Sequence, residues 1–203
     1  MNKEKIDKNI ALLDSILEDE FSGDRKEQII SMFGNAVLAK RYFSAPASSR
    51  RDHHSPYDGG LLDHSLRVTY NMMRLNASLK ADIPNETIYF VGLFHDLGKI
   101  GDPLTFVEEE GIFYLPQEDQ WRRDKMGEYY TINPLLMNRV SHAQRSIRIL
   151  TQFGVRMNED EYLAILHHSM LNSEENKYIS FSKNKLLRLT NIADSWSAFI
   201  DEV

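Results

Sequence analysis

Residues 88–94 read IYFVGLF, apolar on every side of a helix, and lead without a break into His95 and Asp96. A segment apolar all round is a buried helix, and this one delivers an imidazole and a carboxylate at its C-terminal end. Gly98, Lys99, Ile100 and Gly101 follow at once, a helix end with a lysine near the carboxylate. A His-Asp pair alone is expected by chance in roughly one of two chains of this composition; its surroundings give it weight. His64 comes earlier, just after a Gly59–Gly60 break, and His142, His168 and Asp194 come later. Imidazoles and carboxylates suit borderline divalent metals, and no cysteine is present to compete for them. The plain alternative is a set of ordinary core or surface histidines.

Along the chain the dominant period is helical. Ile6, Ile10, Leu13 and Leu17 make one apolar stripe, and Ile29, Phe33 and Val37 make another. Residues 44–60 are rich in turn formers and read as a loop. Helices are predicted from Leu61 to Lys80, from about Asn85 to the doublet, from Pro134 to Gly154, over the stretch holding His168, and from about Lys183 through Asp194. Asn158 with Glu161 three residues on is a capping box for the helix of His168. Between Leu104 and Pro116, TFVEEEGIFYLP has β-formers on both sides of an acidic, glycine-containing turn and predicts a small hairpin. The expectation is an all-α bundle with that hairpin inserted, residues 1–43 forming N-terminal helices that pack on a domain of residues 44–203.

Composition narrows the class. A chain of 203 residues, 42% hydrophobic, can bury one sizeable core. Its net charge of −6 disfavours a broad basic nucleic-acid surface but leaves room for a local cationic pocket. Zero cysteines exclude disulfides and thiolate metal sites. The stretch MNKEKIDKNIALLDSILEDE lacks the apolar run of a signal peptide, and no segment is apolar for long enough to cross a bilayer. A cytoplasmic protein with no membrane partner is the expectation. The amphipathic first helix serves equally to close the bundle or to make a homo-oligomer contact.

These motifs resemble the HD domain, an all-helical superfamily of metal-dependent phosphohydrolases named for its His-Asp doublet. GGLLDHSLRV followed by LFHDLGKIG is similar to the HD domains of bacterial 3′→5′ exonucleases and of some conjugative relaxases. SAPASSRRDHHSPYDGGLLDHSL is close to the relaxase form, while SHAQRSIRIL and AILHHSM are similar to the third and fourth histidine motifs of two-metal members. The resemblance implies a single HD bundle and a first metal held by His64, His95, Asp96 and Asp194. It implies that Asp96 bridges to a second metal held by His142 and His168. The cofactors it implies are two divalent transition metals, manganese or iron first, with nickel, cobalt, zinc and magnesium open. A metal-bridging hydroxide would cleave a nucleotide phosphoester. Single-stranded nucleic-acid cleavage, a di-iron oxygenase of the same fold, and a non-catalytic nucleotide-binding module are the alternatives.

Individual side chains carry competing readings. Lys99 is the candidate for neutralising phosphate charge, against an ordinary lysine at a helix end. His167 and His168 are adjacent and would point about 100° apart on a helix; His168 is preferred as ligand, leaving His167 to bind substrate or pack. His53 and His54 either line the pocket, with His54 on substrate or metal, or belong to a surface loop. Arg50 and Arg51 contact phosphate or form a solvated basic turn. Arg145 is expected to reach substrate or to make a surface ion pair. Asp63 is expected to face solvent, and Trp121, Tyr129 and Tyr130 to cap the pocket or pack in the core.

Overall fold

The protein is described from a computed structural model, which covers residues 3–104, 111–136, 140–169 and 182–201. Eight α-helices are described: α1 (Lys3–Asp19), α2 (Gly23–Phe33), α3 (Ala36–Ser44), α4 (Gly60–Leu79), α5 (Asn85–Phe94), α6 (His142–Gln152), α7 (Glu159–Leu166) and α8 (Lys185–Trp196). Two short strands, β1 (Tyr114–Pro116) and β2 (Tyr130–Ile132), form a small antiparallel sheet between α5 and α6. The architecture is an all-α bundle with a hairpin insertion. No helix among the described residues is long and apolar enough to cross a membrane.

Helix α4 is the central strut, packed against α5, α8, α3 and α1. The apolar run before the His-Asp doublet is α5, with Ile88, Phe90, Val91, Leu93 and Phe94 fully buried. Gly92 lets α5 and α4 touch, because a Cβ there would overlap the side chain of Thr69. Phe33, Tyr42, Phe90 and Phe94 pack ring against ring, and the Tyr42 hydroxyl donates to the Leu93 carbonyl at 2.6 Å. Each such buried side chain contributes about 1.5–3 kcal/mol relative to exposure. Opposite, Arg25 of α2 forks onto both oxygens of Glu161 on α7, at 2.7 and 3.1 Å, and lies over the Phe90 ring.

The Asn158–Glu161 capping box forms with both reciprocal bonds, at 2.9 Å each. Asn35 and Asn184 likewise cap α3 and α8. Other local readings are corrected. The Ile29–Phe33–Val37 stripe is two helices, broken at Gly34–Asn35 where Asn35 starts α3. Helix α6 begins at His142 rather than Pro134: Ser141 and Gln144 supply a complete capping box, while Pro134 lies in a turn held by Asn133 Oδ1 on the Leu135 N–H. The last residue of α7 is Leu166, so His168 sits just past the helix end.

The small hairpin expected in this insertion is described in part. Its proposed first strand falls largely on residues 105–110, outside the described residues. The described second half, Tyr114–Pro116, pairs with Tyr130–Ile132 in the register Tyr114↔Ile132 and Pro116↔Tyr130. The Gly111 carbonyl accepts from the Asp102 N–H at 2.7 Å and from Arg41 Nη1 at 3.0 Å. Trp121 and Tyr129 are exposed rather than core, and Tyr130 is half-buried with its hydroxyl on Asp58. Asp63 does not face solvent: it is buried and accepts from Lys5, Asn9 and Tyr57, fastening α1 and the 44–58 loop to α4.

Candidate metal centre

Four elements end or begin at one point. His64 comes from the first turns of α4, His95 and Asp96 from the end of α5, His142 from the first position of α6, and Asp194 from α8. His168 enters from the turn after α7. His64, His95, Asp96 and His168 are essentially inaccessible, whereas the His142 side chain is 31% exposed and marks the opening.

The two oxygens of Asp96 face different partners. Oδ2 lies 3.6 Å from His64 Nε2 and 3.5 Å from His95 Nε2, and those two imidazoles lie 3.1 and 3.8 Å from Asp194 Oδ1. Oδ1 lies 3.4 Å from His142 Nε2 and 3.3 Å from His168 Nε2, which are 3.2 Å from each other. His95 Nδ1 is 2.9 Å from the Gly92 carbonyl and His168 Nδ1 is 2.7 Å from the Ile165 carbonyl. A carbonyl only accepts, so each Nδ1 carries the proton and each Nε2 turns a lone pair inward. Partners of this kind orient metal-ligating histidines.

Whether this set fits a metal is tested by what the protein leaves unmet. His95 Nε2 and Asp96 Oδ1 are buried and have no hydrogen-bond partner among the described residues. An orphaned buried acceptor costs about 1–3 kcal/mol, and two acceptors aimed at one place ask for a cation. Among the described residues, three groupings of ligand atoms are compact enough to hold an ion: His64, His95 and Asp194; His95, Asp96 and His168; and His54, His64 and Asp96. The residues present fit divalent metal, with nitrogen and oxygen donors suited to transition ions.

Electrostatics agree with the geometry. Burial pushes the His95 imidazole down to about 4 and lowers His142 as well, which keeps both neutral. Burial opposes charge on Asp96, but Lys99 and the neighbouring imidazoles outweigh it and hold the carboxyl well below its usual range. At His168 burial is outweighed by the Asp96 carboxylate, which raises its affinity for a proton. Lys99 Nζ stands 2.6 Å from Asp96 Oδ2, and that carboxylate outweighs burial to keep the ammonium protonated.

The surrounding candidates separate cleanly. His54 belongs to the centre: its ring is 4.4 Å from the His64 ring, and its Nε2 is 3.4 Å from Lys99 Nζ. His53 is exposed, Arg50 pairs with Asp52 at 3.0 Å, and Arg51 is exposed. His167 caps α7 and is absent from every compact ligand grouping among the described residues. Arg145 is a correction. It reaches neither solvent nor the centre, but is 2% exposed, stacks on Phe113 at 4.9 Å, and donates to the carbonyls of Gly98, Leu136 and Val140. Its pull comes from carbonyls left over at the Leu97–Ile100 turn and in the segment before α6.

Ser146 was not singled out by sequence, yet it clasps the centre. Its Oγ accepts from the Gly98 N–H at 2.7 Å and lies 2.8 and 3.0 Å from the carbonyls of His95 and His142. The close approach needs Gly98, since a Cβ there would overlap the His142 carbonyl. The available signal was its place one helical turn after His142. Tyr114, beside Lys99, had no signal beyond its β-forming type.

Comparison with curated proteins and with solved structures returns no match. The family model for the HD domain matches residues 61–198, more than half of the chain. That span contains His64, His95, Asp96, His142, His168 and Asp194, the side chains that the folded chain draws together, and so the chain belongs to the HD-domain superfamily of metal-dependent phosphohydrolases.

Proposed function

We propose that the protein hydrolyses a phosphoester of a small nucleotide at a two-metal centre. The observation that carries this reading is the division of Asp96: one oxygen faces His64 and His95, the other His142 and His168. His64, His95, Asp96 and Asp194 would hold one ion, and Asp96, His142 and His168 the other, manganese or iron being the natural pair for this donor set. Bound divalent ions supply Lewis acidity toward a phosphoryl oxygen and lower the pKa of water.

The chain's own residues would do the rest. Lys99, held by Asp96 and screened from solvent, presents an ammonium to phosphate oxygens that lose their water on entering the site. His54, beside Lys99 and His64, closes the same side of the centre. His142, at the opening, is placed where the phosphate arrives. Ser146 and Arg145 keep the Leu97–Ile100 turn and α6 in register, so that Asp96 and His142 face each other.

A small nucleotide is favoured over an extended strand because the chain is acidic and three of its surface arginines already have carboxylate partners. Arg50 pairs with Asp52, Arg122 with Glu128 and Arg148 with Asp102, on a chain of net charge −6. Strand binding would need several unpaired cations and would weaken steeply with salt. The test is anaerobic metal counting, followed by assay of nucleoside mono- and triphosphates, cyclic nucleotides and single-stranded oligonucleotides from low to physiological salt. Mononucleotide turnover with weak salt dependence is expected. Strongly salt-sensitive oligonucleotide cleavage alone would replace this reading with a nuclease, and dioxygen consumption without phosphate release would replace it with an oxygenase.

A further inference from the structure

Next to the centre, and sharing Lys99 with it, is a cavity of about 300 Å³ between the end of α3, the 44–58 loop and the hairpin. Pro46, Ile100 and Ile112 give it apolar walls, and Tyr114 and Tyr130 give it aromatic ones. Its rim carries Asp58, an exposed carboxylate that accepts from the Tyr130 hydroxyl at 2.8 Å. A carboxylate has about four acceptor positions, and this bond uses one. The cations here have other duties. Lys99 is paired with Asp96, and Arg41 Nη1 donates to the carbonyls of Asp102 and Gly111.

We propose that this cavity is the specificity site for the organic group of the substrate, and that it takes an uncharged nucleoside attached to a single phosphate. The inference rests on the phosphohydrolase reading for the phosphate's destination, but the cavity's own chemistry selects the ligand. Apolar and aromatic walls favour a planar ring, on which tyrosines can stack. Asp58 rewards N–H and O–H donors, which a base and its sugar provide, and repels a second or third phosphate. The volume lies at the small end for ligand pockets, which run from about 300 to 1,000 Å³, enough for one nucleoside and too little for a strand. With the ring there, the phosphate extends past Tyr114 toward Lys99 and the Asp96 cluster.

The test reads binding, independently of turnover. Labelled adenosine is equilibrated with the wild-type protein and with Ile112→Trp and Ser44→Trp, which fill the cavity from two walls; AMP and ATP serve as competitors. Ser44 is exposed, so its variant carries the test if Ile112→Trp fails to fold. Adenosine should bind the wild type and lose at least tenfold in affinity in either filled variant, roughly the 1.4 kcal/mol of a tenfold change. AMP should compete better than ATP, and Asp58→Lys should reverse that order. Absence of adenosine binding, or equal binding by the filled variants, overturns the proposal whatever the enzyme hydrolyses. Loss of binding in both variants of a protein that hydrolyses no phosphoester upholds the cavity and removes the phosphohydrolase reading instead.

Discussion

Ser146→Ala separates a residue that builds the centre from one that merely lies near it. The side chain is completely buried, and its Oγ is the acceptor for the Gly98 N–H at 2.7 Å. Deleting it strands that N–H in the interior, which costs about 1–3 kcal/mol. In a domain of this size each kcal/mol lowers the melting temperature by about 2–4 °C, so a loss of about 2 kcal/mol becomes roughly 4–8 °C. The same hydroxyl contacts the carbonyls of His95 and His142, which stand on opposite sides of the Asp96 carboxylate. Loosening a group that orients ligands typically weakens metal affinity by about 10–100-fold. Thr69→Val is the control. Thr69 is also buried, but its hydroxyl donates to the Ser65 carbonyl of its own helix and, among the described residues, accepts from no N–H that its loss would strand. Thermal melts of metal-stripped protein and calorimetric titration with manganese read both quantities. If Ser146→Ala melts and binds manganese as Thr69→Val does, the Ser146 hydroxyl neither holds the Leu97–Ile100 turn nor orients the ligands.

Three further outcomes are expected. Asp96→Ala should lose both metals by elemental analysis while its helical circular dichroism survives, because one carboxylate faces both ligand sets; full metal content would contradict the bridging role. His142→Ala should keep one metal and lose most hydrolysis, since His142 stands with His168 on the Oδ1 side only; wild-type turnover with one metal per chain would refute the two-metal reading. Glu161→Ala breaks the fork from Arg25 and the cap on Asn158 around a fully buried carboxylate, for a loss of about 3–5 kcal/mol measured by urea denaturation. A loss below about 1 kcal/mol, the range of a surface pair, would show that water compensates there.

Features encoded among near neighbours could be read before any packing was known. The all-round apolar run of α5 had to be buried, and it carried His95 and Asp96 inward with it. The Asn158–Glu161 cap is a contact between residues three apart, so it was legible before any packing was known. The ordered histidines and aspartates stood out as ligand candidates because their motifs resemble those of the HD domain and because metal chemistry restricts which side chains can serve. Packing decided what depends on distant partners. Tyr114 pairs with Ile132, a partner far along the chain that no local turn signal names. Asp63 turns inward because Lys5 and Asn9 meet it from α1, and Arg145 turns inward because carbonyls as distant in sequence as Gly98 need donors. Such positions have the charged side chains of surface residues, and no local period records which buried group will reach them. Only the closed bundle brings the unmet donors and acceptors together, and the free energy of satisfying them, rather than any short-range preference, sets where those side chains point.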